Sequence, residues 1–211
     1  MTPTRVFVFD IDGVIRSFRP ARMAARLDAE LGLPVGIIEQ TAFADPFGVD
    51  LVEGRMTRAE WVAELSERVA QNTRDADAAR SIVSEWATDI GQLIPETVEL
   101  IDELRTQHPV FAFTNGTDCT TRELTEHGII DRFHRVLNSY ELGIAKPEPA
   151  SYPKAHAQIE QTLGGPVPAS SVHFTDDRPE NIEAAARFGW QAVQFTDAAA
   201  LRRAIAPVLA P

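Results

Sequence analysis

The chain has 211 residues, 44% of them hydrophobic and 24% charged, which is the balance of an ordinary soluble globular protein long enough to bury a substantial core. A formal charge of -11, with no run of Lys and Arg to offset it, argues against a nucleic-acid or anionic-membrane surface. Cys119 is the only cysteine, which excludes an intramolecular disulfide and a thiolate metal cluster and fits a reducing cytoplasm; the apolar run near the N-terminus is too short for a signal peptide or a membrane span.

Val6-Phe7-Val8-Phe9 is a continuous apolar run of β-branched and aromatic residues, the pattern of a strand buried on both faces at the centre of a parallel sheet. Asp10 and Asp12 follow at once. In open α/β sheets, groups just past the carboxyl end of a strand line the ligand crevice, so both carboxylates are expected there. At an effective dielectric of ~20 and a spacing of ~4 Å their repulsion is about 4 kcal/mol, which calls for a bound cation or a shared proton. Taken alone, Asp10-Ile11-Asp12-Gly13 also reads as an ordinary turn.

Between residues 16 and 92 no strand is expected. Met23, Ala24, Leu27 and Leu31 recur at helical spacing over Pro20 to Leu31, and a short helix follows before the turn-rich stretch Phe43 to Asp50. Thr57 and Glu60 form a capping-box pattern ahead of Trp61, Val62, Leu65 and Val69, and a further helix is expected over Asp75 to Ile90. From Pro95 helices and strands alternate, as in a parallel sheet with crossover helices. The expected strands are Val110 to Phe113, Arg135 to Asn138, Ser171 to Thr175 and Ala192 to Phe195; helices follow Pro95, end at His127-Gly128, and span Ser151 to Leu163 and Asn181 to Phe188.

Each main strand then delivers a polar group at its carboxyl end: Thr114-Asn115 after Phe113, Lys146 beyond the strand at Val136, and Asp176-Asp177 after Thr175. As separate features these read as a cap, a solvated charge and a turn. Together they bring four carboxylates, a hydroxyl and an ammonium to one end of the sheet, the makeup of a catalytic site.

The strings Phe9-Asp-Ile-Asp-Gly-Val14, Phe113-Thr-Asn115, Ala145-Lys-Pro-Glu148 and Phe174-Thr-Asp-Asp177 resemble, in order and spacing, the four motifs of the haloacid dehalogenase superfamily, phosphatase branch. Within that branch the chain looks nearest to sugar-phosphate phosphatases and the phosphatase domain of soluble epoxide hydrolase. The resemblance implies a Rossmann-like, three-layer α/β core with a five-stranded parallel sheet, the first strand central, formed by residues 1–15 and 93–211. Residues 16–92 would be a small helical cap of the C1 type.

The same resemblance implies a Mg2+-dependent phosphomonoesterase acting on a small phosphorylated metabolite, sugar-like by preference, through an aspartyl-phosphate. Asp10 would be the nucleophile and Asp12 the acid and base. An Asp10 oxygen, the Asp12 backbone carbonyl and Asp177 would hold the metal, while Thr114, Asn115 and Lys146 would bind the phosphoryl group. Asp176 and Asn181 take supporting positions.

A phosphomutase would share every core residue, and free phosphate release separates the two. A 2-haloacid dehalogenase, which uses the same nucleophile, needs neither Asp12 nor Asp177; a noncatalytic binding domain would require a broken motif. A monomer or homodimer is expected. The histidines at 108, 127, 134, 156 and 173 lack ligand spacing and read as structural. Trp61, Trp86 and Trp190 read as core, Cys119 as a buried small hydrophobe on a helix, and Arg16, Arg19 and Arg22 as either substrate contacts or a solvated face. Phe43 to Asp50, with two aromatics and two carboxylates, is the candidate surface for the leaving group.

Overall fold

The structure, a computed structural model, describes residues 5–18 and 28–209. Five parallel strands form the sheet: β1 (Val6–Phe9), β4 (Val110–Thr114), β5 (Arg135–Asn138), β6 (Val172–Asp176) and β7 (Gln191–Gln194), in the order β5-β4-β1-β6-β7. β1 is central and wholly buried, as its unbroken apolar run requires. Because side chains alternate along a strand, its residues divide between two cores. Phe7 and Phe9 pack with Leu100, Ile101 and Leu104 of α5 (Pro95–Leu104) and with Leu201 and Ile205 of α10 (Ala198–Leu209). Val6 and Val8 face Tyr152 and Ile159 of α8 (Ser151–Leu163), Ala184 and Ala185 of α9 (Pro179–Phe188), and Trp190. The result is a three-layer α/β sandwich of the Rossmann type.

The remaining core helices are α6 (Thr120–Glu126) and the short α7 (Ser139–Leu142). Between the first and second sheet strands lie α1 (Ile37–Ala42), α2 (Phe47–Val52), α3 (Arg58–Ala70) and α4 (Ala76–Trp86), with their own apolar cluster around Ile38, Phe47, Trp61, Leu65 and Val83. At the head of α3 the capping box forms as expected: the Thr57 side chain accepts from Glu60 N–H and the Glu60 carboxylate accepts from Thr57 N–H.

Three local expectations are corrected and one helix joins them. First, residues 16–92 are bounded by a two-stranded antiparallel pair, β2 (Arg16–Ser17) with β3 (Gln92–Leu93), too short for hydrophobic alternation to reveal. Second, Phe43 to Asp50 is half helix, and Phe47 is buried, stacked on Trp61 with the Arg68 guanidinium 3.9 Å from its ring centre. Third, Cys119 is partly exposed and sits just before the first residue of α6 rather than lying buried within it. Fourth, α10 escaped the sequence reading; its signals are Asp197, whose carboxylate accepts from Ala200 N–H, and the Leu201–Ile205 pair. Of the helix expected over Pro20 to Leu31, residues 28–30 are helical; Arg19, Arg22 and the rest of positions 19–27 lie outside the described residues.

Candidate active site

Asp10 leaves β1 at the carboxyl edge of the sheet, between the ends of β4 and β6. Its Oδ1 accepts from the Ile11 N–H at 2.8 Å and lies 3.0 Å from Lys146 Nζ. Burial raises its pKa to about 7; Lys146 opposes that shift, while Asp176 and Asp12 add to it.

Lys146 reaches the site from the loop after α7. Asn115 sets the loop's position: its side-chain amide donates to Lys146 O at 2.7 Å, and its side-chain oxygen accepts from Lys146 N–H at 2.8 Å. The buried ammonium spends its three donors on Phe113 O at 2.8 Å, Asp176 Oδ2 at 2.6 Å and Asp10 Oδ1. Burial alone would lower the Lys146 pKa, yet the attraction of Asp10 and Asp176 outweighs it and holds the charge in place. Thr114, also buried, ends β4 beside Phe113.

Asp176, at the end of β6, is fully buried and saturated. Besides Lys146 it accepts from Arg178 N–H at 2.9 Å and from Asn181 Nδ2 on both oxygens at 2.9 Å. Asp177 is less buried and abuts the Asp10-Ile11-Asp12-Gly13 turn. Gly13 has φ +87°, a backbone conformation that favours glycine, and a Cβ there would also push the Asp177 carboxylate aside. Asp177 has its pKa raised, first by burial and then by the Asp176 charge.

One carboxylate oxygen from each of Asp10, Asp176 and Asp177 falls within 4.8 Å of the others. Ligand oxygens around a Mg2+ ion are ~3 to ~4 Å apart, so this all-oxygen set has the hardness for such an ion and lies near that span, to be drawn in on binding. Since the Asp176 oxygens are already committed, Asp10 and Asp177 are the free donors of the three. No histidine joins the cluster among the described residues. His127 and His156 instead bond the carbonyls of Ile90 and Val167, and His156 Nδ1 also accepts from Trp190 Nε1.

Asp12 is 43% exposed at its side chain and is held by Arg16, whose Nε donates to Asp12 Oδ1 at 2.5 Å. Arg16 is thus neither a solvated face nor, in this arrangement, free for substrate. Its Nη1 donates to Glu123 Oε2 at 2.8 Å and to Ile90 O at 3.3 Å. Burial alone would lower the Arg16 pKa; the attraction and hydrogen bonds of Asp12 and Glu123 raise it instead. Glu123 was missed from sequence, since a carboxylate 107 positions away on a helix gives no local sign of this contact.

An open parallel sheet with acids and a hydroxyl at the carboxyl ends of its inner strands, joined there by a lysine from the loop after α7, has its polar groups in the ligand crevice of a Rossmann-like α/β fold. The chain belongs to the haloacid dehalogenase-like hydrolase family, whose model matches residues 4–189. Its fold is shared with a family enzyme from Bacteroides thetaiotaomicron crystallised with magnesium and inorganic phosphate (18% identity, 92% of this chain and 94% of that one, TM-score 0.69). A haloacid dehalogenase-like hydrolase from Porphyromonas gingivalis is similar over 99% of this chain and 98% of its own, at 22% identity and TM-score 0.70. A 2-haloacid dehalogenase from Pseudomonas syringae pv. Tomato also matches, at 22% identity over 91% and 86% with TM-score 0.59. No curated protein is significantly similar to the chain in sequence.

Proposed function

We propose that the protein is a Mg2+-dependent phosphomonoesterase acting on a small phosphorylated metabolite. The observation that carries this reading is the pair of further carboxylates beside buried Asp10: Asp177, whose oxygen falls within 4.8 Å of Asp10's, and Asp12, two residues along the same turn. Dehalogenation through the same nucleophile has no use for either. The B. thetaiotaomicron structure, with magnesium and inorganic phosphate, lends support.

Asp10, Asp177 and the Asp12 backbone carbonyl would hold the ion, which when bound would screen the negative charge of the phosphoryl group. An Asp10 oxygen attacks phosphorus as the bond to the leaving oxygen breaks, and Asp12 gives that oxygen its proton. Asp12 then takes a proton from water, the water oxygen attacks phosphorus, and the Asp10–phosphoryl bond breaks to release phosphate. Thr114 and Lys146 bind the phosphoryl oxygens, for which Lys146 shares the donor now directed at Asp10. Asn115 serves by fixing the Lys146 loop, with Asp176 and Asn181 holding the ammonium in place.

Residues 16–92 act as the cap that excludes water and selects the leaving group, with the sheet and its flanking helices, residues 1–15 and 93–211, as the chemical core. A phosphate-release screen across sugar phosphates, nucleotides and glycolytic esters tests the reading. Turnover that needs Mg2+ and is lost on chelation supports it. Phosphoryl return to the substrate, with no free phosphate, would assign a mutase, and halide release from a haloacid a dehalogenase.

A further inference from the structure

Arg16 sits where the Asp10-Ile11-Asp12-Gly13 turn becomes β2, and its backbone closes that turn: Arg16 N–H donates to Ile11 O at 3.0 Å and Arg16 O accepts from Gly13 N–H at 2.8 Å. Its side chain folds back along the same path and is almost wholly buried. Three contacts fix the guanidinium. Nη1 bonds Glu123 Oε2 and Ile90 O, and the group lies 4.9 Å from the Phe18 ring centre. With one end of the planar fork so anchored, Nε points to Asp12 Oδ1. Glu123 is buried too, and its other oxygen lies 3.6 Å from Arg58 Nη1 at the head of α3.

An exposed aspartate on a turn would otherwise sample several rotamers, each placing its oxygens differently. Proton transfer to a leaving group needs one of them within hydrogen-bond reach. We propose that Arg16, braced by Glu123, is a positioning residue that confines the Asp12 carboxylate to one orientation and leaves its second oxygen for the leaving group. This rests on the phosphatase reading above. Apart from Asp12, the Arg16 side chain bonds Glu123 and Ile90, neither of which is placed at the metal or the phosphoryl group. The competing role, a staple that merely joins β2 to Glu123 and Ile90, makes no reference to Asp12.

The two roles differ in how a lesion depends on the leaving group. kcat/KM covers only steps through departure of that group, and an alkoxide needs a proton there whereas dinitrophenolate does not. In the Mg2+-loaded enzyme, Arg16→Gln is expected to lower kcat/KM by ~10- to ~100-fold for alkyl phosphates but by less than about threefold for 2,4-dinitrophenyl phosphate, since a positioned acid is worth ~100- to ~10,000-fold in all. In an Asp12→Asn background the same change should add nothing. Binding of inorganic phosphate, measured by calorimetry, should be unaltered. Glu123→Gln, which keeps a neutral acceptor for Nη1, should show the same graded pattern at smaller amplitude, and it carries the test if Arg16→Gln does not fold. Equal loss toward every ester, no loss, or additivity with Asp12→Asn would overturn the inference alone. A wild-type enzyme inert toward the whole ester series would overturn the phosphatase reading and this inference with it.

Discussion

At the end of β6 the fold separates two adjacent carboxylates: Asp176 turns inward to Lys146 and Asn181, and Asp177 turns to the Gly13 turn. Removing Asp176 would leave a buried ammonium short of one of its two carboxylates, so Asp176→Ala is expected to cost about 3 to 5 kcal/mol in a denaturation experiment. Asp177→Ala should cost far less stability and instead raise the Mg2+ concentration needed for activity. Asp10 adds a pH dependence. Its value rises from 3.8 to about 7 on folding, so the stability it contributes is full at low pH and is lost as pH climbs through that window. The metal-free protein should therefore melt at lower temperature at pH 7 than at pH 5, and Mg2+, if held by the ionised carboxylate as proposed, should restore more at pH 7. Asp10→Asn should flatten the metal-free trend; an unchanged trend in that variant would assign it to other groups. The positions of Asp10 and of the Asp176-Asp177 pair were legible in sequence because they end or directly follow apolar strands, whereas Lys146 reaches them from beyond α7. The family resemblance already put Asp176 and Asn181 in supporting positions; that Asp176 bonds Asn181 and a lysine 30 residues away is a pair of contacts that exist only in the folded chain.

Among the elements, those carrying a period or a cap were readable. β1, β5 and α8 fall on their expected residues, and α3 starts at its capping box. Of the unread ones, β2 and β3 have two residues each, too few to show a period, and α7 has four, whereas α10 does carry a cap at Asp197. The turn after β1 is where element geometry and site meet. Gly13→Ala must adopt an unfavourable positive φ, at ~1 to ~2 kcal/mol, and also displace Asp177. We expect a modest fall in unfolding free energy, together with a loss of Mg2+ affinity comparable to that of Asp177→Ala. Loss of stability with unchanged affinity would show that Asp177 does not depend on this turn.

For the whole molecule, the contacts joining α1 to α4 and their flanking segments to the rest include polar ones. Ser139 Oγ donates to Val52 O at 2.5 Å, Ala145 N–H to Glu53 Oε1 at 3.2 Å, and Arg58 N–H to Asp118 Oδ1 at 2.8 Å. Contacts of this kind can break and reform at little cost in apolar burial, as the proposed cap role would require. The sequence expectation that Phe47 faces substrate fails because a large aromatic beside Trp61 is more stable inside the helical cluster. Phe47→Ala should cost about 3 to 5 kcal/mol and act on folding. Phe43, 58% exposed, is the aromatic of that stretch left for selectivity. Phe43→Ala should re-rank substrates in the phosphate-release screen while leaving an aryl phosphate within about tenfold of the parent; an unchanged ranking would remove it from specificity.

The central claim, a phosphoryl group carried covalently by Asp10, can be tested by quenching the Mg2+-loaded enzyme in acid during turnover of a good phosphomonoester, reducing with borohydride and sequencing the peptides by mass spectrometry. An aspartyl-phosphate is reduced to homoserine, so the account predicts homoserine in place of Asp10, only when both substrate and Mg2+ were present. Phosphate release with an unmodified Asp10, or modification at a different residue, would contradict it.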